Sequence, residues 1–288
     1  MEAGTVVVAT YNVENYGPVD RRVDGVFRPK YPKPESEKRA LREAIEAMGA
    51  DLLALQEMGG LSYLDELRHD LRAEGLDYPY TALVDAEDAD RHIALLSRLR
   101  LSSVVRHSAI EFAYMGGTAR VKRGLLEAVV SDPDGDFAVF VLHLKSRLQE
   151  RPDDPGAQKR RLGEALAVRS LIRKRFPAAS RARFVILGDF NDGNFSRTVR
   201  RMAQIGDETL AYCLPAADSR GETWTELYRR EGSYTDLDHI LVSPALRAAV
   251  EGASARIYDG PETAEASDHR PVVARLVIPA ARITSARP

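Results

Sequence analysis

Short apolar and β-branched runs recur along almost the whole chain, and none is long enough to be anything but a strand or one buried turn of helix. Val6–Tyr11, Leu52–Gln56, Ile93–Ser97, Leu125–Ser131, Ala138–Leu144, Phe184–Leu187, His239–Val242 and Val272–Ile278 are each of strand length, and polar residues, Gly or Pro follow most of them. Few helical patterns interrupt them. Leu41, Ala44, Ile45 and Met48 recur at helical spacing over Ser36–Ala50, with Ser36 as the expected cap. A second helix is predicted from Gly156 to Phe176, with Leu162, Leu166, Leu171 and Ile172 towards the core and Pro177 as its stop. Ser62–Glu74 and Ser196–Gln204 are predicted as further helices. Many strands with few helices predict two packed sheets flanked by helices, not a strictly alternating doubly wound sheet.

No repeat, low-complexity tract or Gly/Ser linker marks a boundary in the 288 residues, so a single domain over 1–288 is expected, with its core at about 5–279. The apolar (44%) and charged (29%) fractions are those of a soluble globular protein, and no 18-residue apolar run offers a membrane span. The N-terminal apolar run Thr5–Thr10 has no basic segment before it and no small-residue cleavage site after it, so it reads as a first strand. A cytoplasmic location and a monomer are the expectations; a secreted chain trimmed of its leader would read the same. The single cysteine, Cys213, excludes an internal disulfide framework or a multi-cysteine metal site. A net charge of −2 argues against gripping nucleic acid with the whole surface, though it leaves room for a local basic patch.

Acids, amides and histidines repeatedly close the apolar runs. Asn12 ends the first, Glu57 ends the second after Gln56, and His143, Lys145 and Ser146 end another. Asp189 and Asn191 follow Val185–Gly188, two residues apart and so on one side of an extended segment. Asp238 and His239 open the next run, and Ser267-Asp268-His269-Arg270-Pro271 precedes the last. Singly these are weak signals, since Asn or Asp after a strand is ordinarily a turn former. Their joint placement at strand ends is the informative observation.

In this order, from Asn12 to Pro271, the motifs resemble those of the endonuclease/exonuclease/phosphatase superfamily, the fold of deoxyribonuclease I and exonuclease III. Gln56-Glu57, Gly188-Asp189-Phe190-Asn191 and Ser267-Asp268-His269-Arg270-Pro271 together carry the resemblance, and His143-Leu144-Lys145-Ser146 is similar to bacterial branches of it. The resemblance implies an α/β fold, a four-layer α/β/β/α sandwich of two mixed β-sheets packed face to face with helices outside. It implies Glu57 as principal metal ligand with Asn12 and Asp268 close by, and His269 held by Asp238. It implies Asp189 orienting or activating water, Asn191 holding that water or a phosphate oxygen, and His143 donating to the phosphoryl oxygen. Between Asp189 and His269 the base is left open. Arg123 and Lys145 are weaker candidates for phosphate.

The residue types suit the reaction. Phosphodiester hydrolysis needs charge neutralised, water deprotonated and a leaving alkoxide stabilised. Carboxylate and amide oxygens suit Mg²⁺ or Mn²⁺, with Ca²⁺ as an alternative and no organic cofactor expected. Nucleic acid, DNA first, is the substrate expected from the resemblance. A small phosphoester or a lipid headgroup is the alternative, and a catalytically inactive binding domain is the remote one. A lipid substrate would call for an exposed apolar loop, and no segment stands out as one. The basic stretch Arg147–Arg175 reads mainly as a solvated helix face.

Overall fold

A computed structural model describes residues 4–132 and 135–278; the remaining residues of the expected 1–288 domain, and residue 279 of its expected core, lie outside the described residues. The principal strands are β1 (Gly4–Tyr16), β2 (Leu52–Met58), β3 (Tyr80–Val84), β4 (His92–Ser97), β5 (Leu101–His107), β6 (Leu125–Val130) and β7 (Phe137–His143). They continue with β8 (Phe184–Asp189), β9 (Tyr212–Cys213), β10 (Ala216–Ala217), β11 (Asp238–Val242), β12 (Ala255–Ile257) and β13 (Val272–Ile278). Seven form one sheet, in the order β10-β12-β13-β1-β2-β4-β3, and six form the other, β9-β11-β8-β7-β6-β5. Both are mixed: β1 is parallel to β2 but antiparallel to β13, and β7 is parallel to β8 while β11 runs against it.

Strand alternation builds three apolar layers from this order. Val6 and Val8 of β1, Leu52 and Ala54 of β2, Val139 and Val141 of β7 and Val185 and Leu187 of β8 face one another between the sheets. The opposite side chains, Ala9, Tyr11, Leu53 and Leu55, pack against α1 (Glu35–Met48) and α2 (Leu61–Ala73). On the second sheet, Phe140, Leu142, Phe184 and Ile186 pack against α3 (Gln158–Arg175) and α4 (Arg197–Ala203). The result is the expected sandwich, helices outside and two sheets within. Among the described residues no helix is long and apolar enough to cross a membrane.

All eight expected strands and four expected helices form, with three differences of detail. Helix α1 is capped at Pro34, not Ser36: Lys38 N donates to Pro34 O, Ser36 lies in the first turn, and Glu35 and Glu37 sit at the positive end of the helix dipole. In α3 the fully buried stripe is Arg161, Ala165, Val168 and Ile172, with Glu164 beside it, while Leu162, Leu166 and Leu171 are half-buried flanks. Leucine was the wrong marker there because two charged residues are satisfied inside, as the site below shows. Sheet-edge strands β3 and β5, and hairpins such as Val19–Val23 with Val26–Tyr31, carry too few buried positions to read as strands in sequence.

Candidate active site

The same alternation that fills the core carries polar side chains into the slot between the sheets at one end. On β7 the inward series Val139, Val141 continues to His143; on β8, Val185, Leu187 continues to Asp189; on β11, Val242, Ile240 leads back to Asp238. His143, Asp189 and Asp238 are also consecutive register partners across the three strands, so they form a row. From the opposite sheet Asn12 continues Val6, Val8 and Thr10, and its Nδ2 donates to Asp189 Oδ2 at 3.0 Å. His143 Nε2 stands 3.4 Å from the same oxygen. Gly188 lets β8 come this close to β7, because a Cβ there would stand 2.1 Å from Leu142 O.

His269 arrives from the loop before β13. Ser267 Oγ donates to Asn12 O at 2.8 Å and accepts from His269 N at 3.0 Å, which ties the loop to β1. Arg270 anchors its far side through Asp218, at 2.8 Å, and lies over the Trp224 ring. The result brings His269 Nδ1 to 2.7 Å from Asp238 Oδ2. Ligand atoms of Asp189, Asp238 and His269 lie within 4.8 Å of one another, all three residues buried. Burial disfavours a charged His269, but the Asp238 carboxylate outweighs it and holds the ring's pKa well above its ordinary value. Burial first, then the charge of Asp238, pushes Asp189 up to about 7. His143 is held well below the ordinary value by burial and by the Arg123 charge, so its ring is neutral. Asn191 sits beyond, in left-handed backbone (φ 52°) that Asn tolerates, donating its N–H to Asp189 Oδ1 at 2.7 Å and Nδ2 to Leu144 O at 3.0 Å.

Glu57 and Asp268 belong to a second, acidic group on the first sheet. Strand parity alone would send Glu57 outward with Leu53 and Leu55, but a register break after Leu55 and a left-handed Glu57 (φ 62°) re-aim it. Its Oε2 accepts from Asn15 N at 3.1 Å and stands 3.7 Å from Arg91 Nε. Glu14 joins them: its Oε2 accepts from Asp268 N at 2.9 Å and its Oε1 faces Arg229 at 3.7 Å. Burial first, with the charges of Glu14 and Glu57 added, pushes Asp268 up to about 7 even though His269 opposes the shift. The charges of Glu14 and Glu57 act on Asp268, and hard carboxylate oxygens suit a divalent cation, although among the described residues the three whose ligand atoms lie within 4.8 Å of one another are Asp189, Asp238 and His269. Glu14 was missed in sequence because it follows Asn12 by two, inside an apparent turn. Only the fold shows that it meets Asp268 from 254 residues away.

The two weaker candidates are both buried and bonded within the protein. Lys145 is buried, and its Nζ donates to Ser146 O at 3.2 Å, Ser146 Oγ at 3.1 Å and Leu148 O at 2.9 Å; an ammonium has three protons, so all are committed. Arg123 is also buried, with Nε 2.9 Å from Asp88 Oδ2 and NH1 directed at Leu144 O. Both stiffen the strand ends behind His143. Buried Glu164 of α3 does the same, accepting from the backbone N–H groups of Lys122 and Lys145, while Arg161 donates to Lys145 O. The basic stretch is thereby partly structural.

A sequence profile of the Endonuclease/Exonuclease/phosphatase family matches residues 9–269. No curated protein matches by sequence. Among solved structures, the human nocturnin catalytic domain with bound sulfate is 17% identical with a TM-score of 0.66, covering 94% of this chain and 93% of that one. Sphingomyelinase C from Streptomyces griseocarneus is 17% identical with a TM-score of 0.66, covering 95% and 99%. Beta toxin from Staphylococcus aureus with bound magnesium ions is 13% identical with a TM-score of 0.64, covering 94% and 99%. At these identities the structures establish the shared fold, and the profile, spanning both the Asn12 and His269 ends of the site, establishes membership: the chain belongs to the endonuclease/exonuclease/phosphatase family, whose members hydrolyse phosphoester bonds.

Proposed function

We propose that this protein is a phosphodiesterase that uses Mg²⁺ or Mn²⁺ and acts on nucleic acid or nucleotide phosphodiesters, with DNA as the leading macromolecular substrate. The observation that carries the hydrolytic reading is the convergence of Asn12, His143, Asp189, Asp238 and His269 in one slot, with the acids Glu14, Glu57 and Asp268 beside them. Glu57, Asp268 and the Asn12 amide would hold such a cation, which would supply neutralisation of the phosphate charge. Glu14 is added to that set as a residue within reach of it.

The chain's own groups divide the remaining work. Asp189, raised towards neutrality and fixed by Asn12 and by Asn191 N–H, holds and deprotonates a water. His269, kept cationic by Asp238, donates a hydrogen bond to a non-bridging phosphoryl oxygen. Neutral His143 has a single N–H, and with Nε2 facing Asp189 Oδ2 that proton orients the carboxylate instead of reaching the phosphoryl group. Both environments raise the pKa, that of the Asp189 carboxylate to about 7 and that of the His269 ring well above its ordinary value, so the carboxylate and not the cationic ring is the base.

A small phosphoester is the second reading, favoured by a cavity of about 490 Å³ beside Asn191 that contains Glu226 and Glu231 but only one arginine, Arg147. A polyanion would find little to hold it there. A lipid headgroup gains one observation: Val26 and Phe27 are 55% and 58% exposed at the tip of the Val19–Tyr31 hairpin, an apolar tip that periodicity did not reveal. Hydrolysis of plasmid DNA, single-stranded DNA, RNA, bis-p-nitrophenyl phosphate and sphingomyelin, with chelator and then with Mg²⁺ or Mn²⁺, separates these. No metal-dependent turnover of any of them would sink the enzymatic reading.

A further inference from the structure

We propose that the cavity between the Ser146–Gln149 loop and the Glu226–Thr235 hairpin is a nucleoside subsite, in which Glu226 selects substrates by accepting a hydrogen bond from the sugar or base. The inference rests on the phosphodiesterase reading for its role in catalysis, but not for its ability to bind.

Three residues that line the cavity are each joined to a member of the reactive cluster. Asn191 donates to Asp189, Leu237 precedes Asp238 and shares the Thr225 Oγ1 anchor with it, and Glu226 forms an antiparallel backbone bridge with His269. A group seated in the cavity is therefore adjacent to a phosphate at the cluster. The walls are firm on both sides. Lys145 Nζ binds the loop on one side, and on the other Trp224 packs against Tyr234 of the hairpin at 4.8 Å between ring centroids.

The lining says what fits. Arg147 lines the cavity together with Glu226 and Glu231, one positive charge and two negative, so N–H or O–H donors are preferred there. Glu226 is half-buried, with Oε2 accepting from Thr235 Oγ1 at 2.5 Å, which holds the carboxylate in place. Tyr228, 40% exposed, and Leu148, 74% exposed, give the mouth an apolar wall with one flat ring, the surface on which a base stacks. A ring system with donors on its edge answers all three features. A bare cation would answer only the carboxylates.

Binding is tested on the 288-residue chain by saturation-transfer NMR and calorimetric titration of adenosine and thymidine, with choline and inorganic phosphate as comparators. Transfer to the nucleosides is expected, and Glu226→Gln and the exposed Tyr228→Ala should each weaken binding at least fivefold at unchanged melting temperature. No transfer to either nucleoside, equal affinity in both variants, or choline bound in their place overturns the proposal. In parallel, the p-nitrophenyl ester of thymidine 5′-phosphate is compared with bis-p-nitrophenyl phosphate, which shares its leaving group. The preference for the thymidine ester should fall at least fivefold in Glu226→Gln, through KM. If wild-type protein with Mg²⁺ or Mn²⁺ turns over neither ester, the hydrolytic reading fails, and nucleoside binding still decides this proposal.

Discussion

His269 and Asp238 reach their 2.7 Å contact from opposite ends of two segments, one a loop pinned by Ser267 to β1 and the other the first residue of β11. The carboxylate orients the imidazole and keeps it cationic, so Asp238→Asn should lower kcat by about a hundred- to ten-thousand-fold while leaving the melt nearly unchanged. Steady-state kinetics on bis-p-nitrophenyl phosphate check this, and an undiminished kcat would remove Asp238 from the machinery. Gly188 is a structural counterpart. Its added Cβ would meet Leu142 O at 2.1 Å, so Gly188→Ala should cost about 1–3 kcal/mol in urea unfolding and displace Asp189 with it. Asn12, His143 and Asp189 were legible in sequence because each ends an apolar run at a position that parity directs inward, and Asp238 because it opens one, whereas Asn191 and His269 lie in loops beside the strands and were legible only through their motifs. Glu14 and Glu57 were harder, since left-handed backbone at both breaks the parity that sequence reading depends on.

At the scale of elements, caps and cross-links decide what each segment contributes. Ser196 Oγ accepts from Val199 N at the start of α4, whereas Ser36 makes no cap at α1. Ser196→Ala should therefore cost about 1 kcal/mol, and Ser36→Ala about 0.5 kcal/mol or less, in paired denaturant melts. Equal effects would contradict the assignment of both caps. Arg175, in the last turn of α3, reaches Glu127 of β6 at 2.9 Å, and His107 of β5 meets the same carboxylate at 3.0 Å. The His107 hydrogen bond, resisted by burial and aided by Arg175, holds Glu127 below its ordinary pKa. A depressed carboxylate contributes stability above its unfolded pKa, about 4.3, and loses it as pH falls through the lower folded value. Stability should thus drop below about pH 4.3 with a slope that Glu127→Gln reduces, read from urea midpoints between pH 3 and 7. An identical slope in the variant would show that this pair does not couple helix to sheet.

For the whole molecule, the sandwich sets two sheets face to face, with His143, Asp189 and Asp238 at the strand ends of one and Asn12, Glu57 and the Asp268-His269 loop at the same end of the other. Crowding among Glu14, Glu57 and Asp268 should make the folded protein bind Mg²⁺ or Mn²⁺ and gain stability, by about 2.7 kcal/mol at a hundredfold excess over Kd. Scanning calorimetry should show Tm rising with added cation and the rise shrinking in Glu57→Gln; a Tm indifferent to cation in wild-type protein would remove the metal from this site. Sequence alone determined the sandwich class, the strand-end residues and the chemical family of the reaction, because period-two alternation and the order of short polar motifs are local properties of the chain. Tertiary structure decided the rest. It buried Lys145 and Arg123, bonding the Lys145 ammonium to Ser146 and Leu148 and pairing Arg123 with Asp88. It brought Glu14 to Asp268 and laid Glu226 against His269. Those meetings depend on register breaks and on loops that bring together residues far apart in the chain, and no short window of sequence contains both partners.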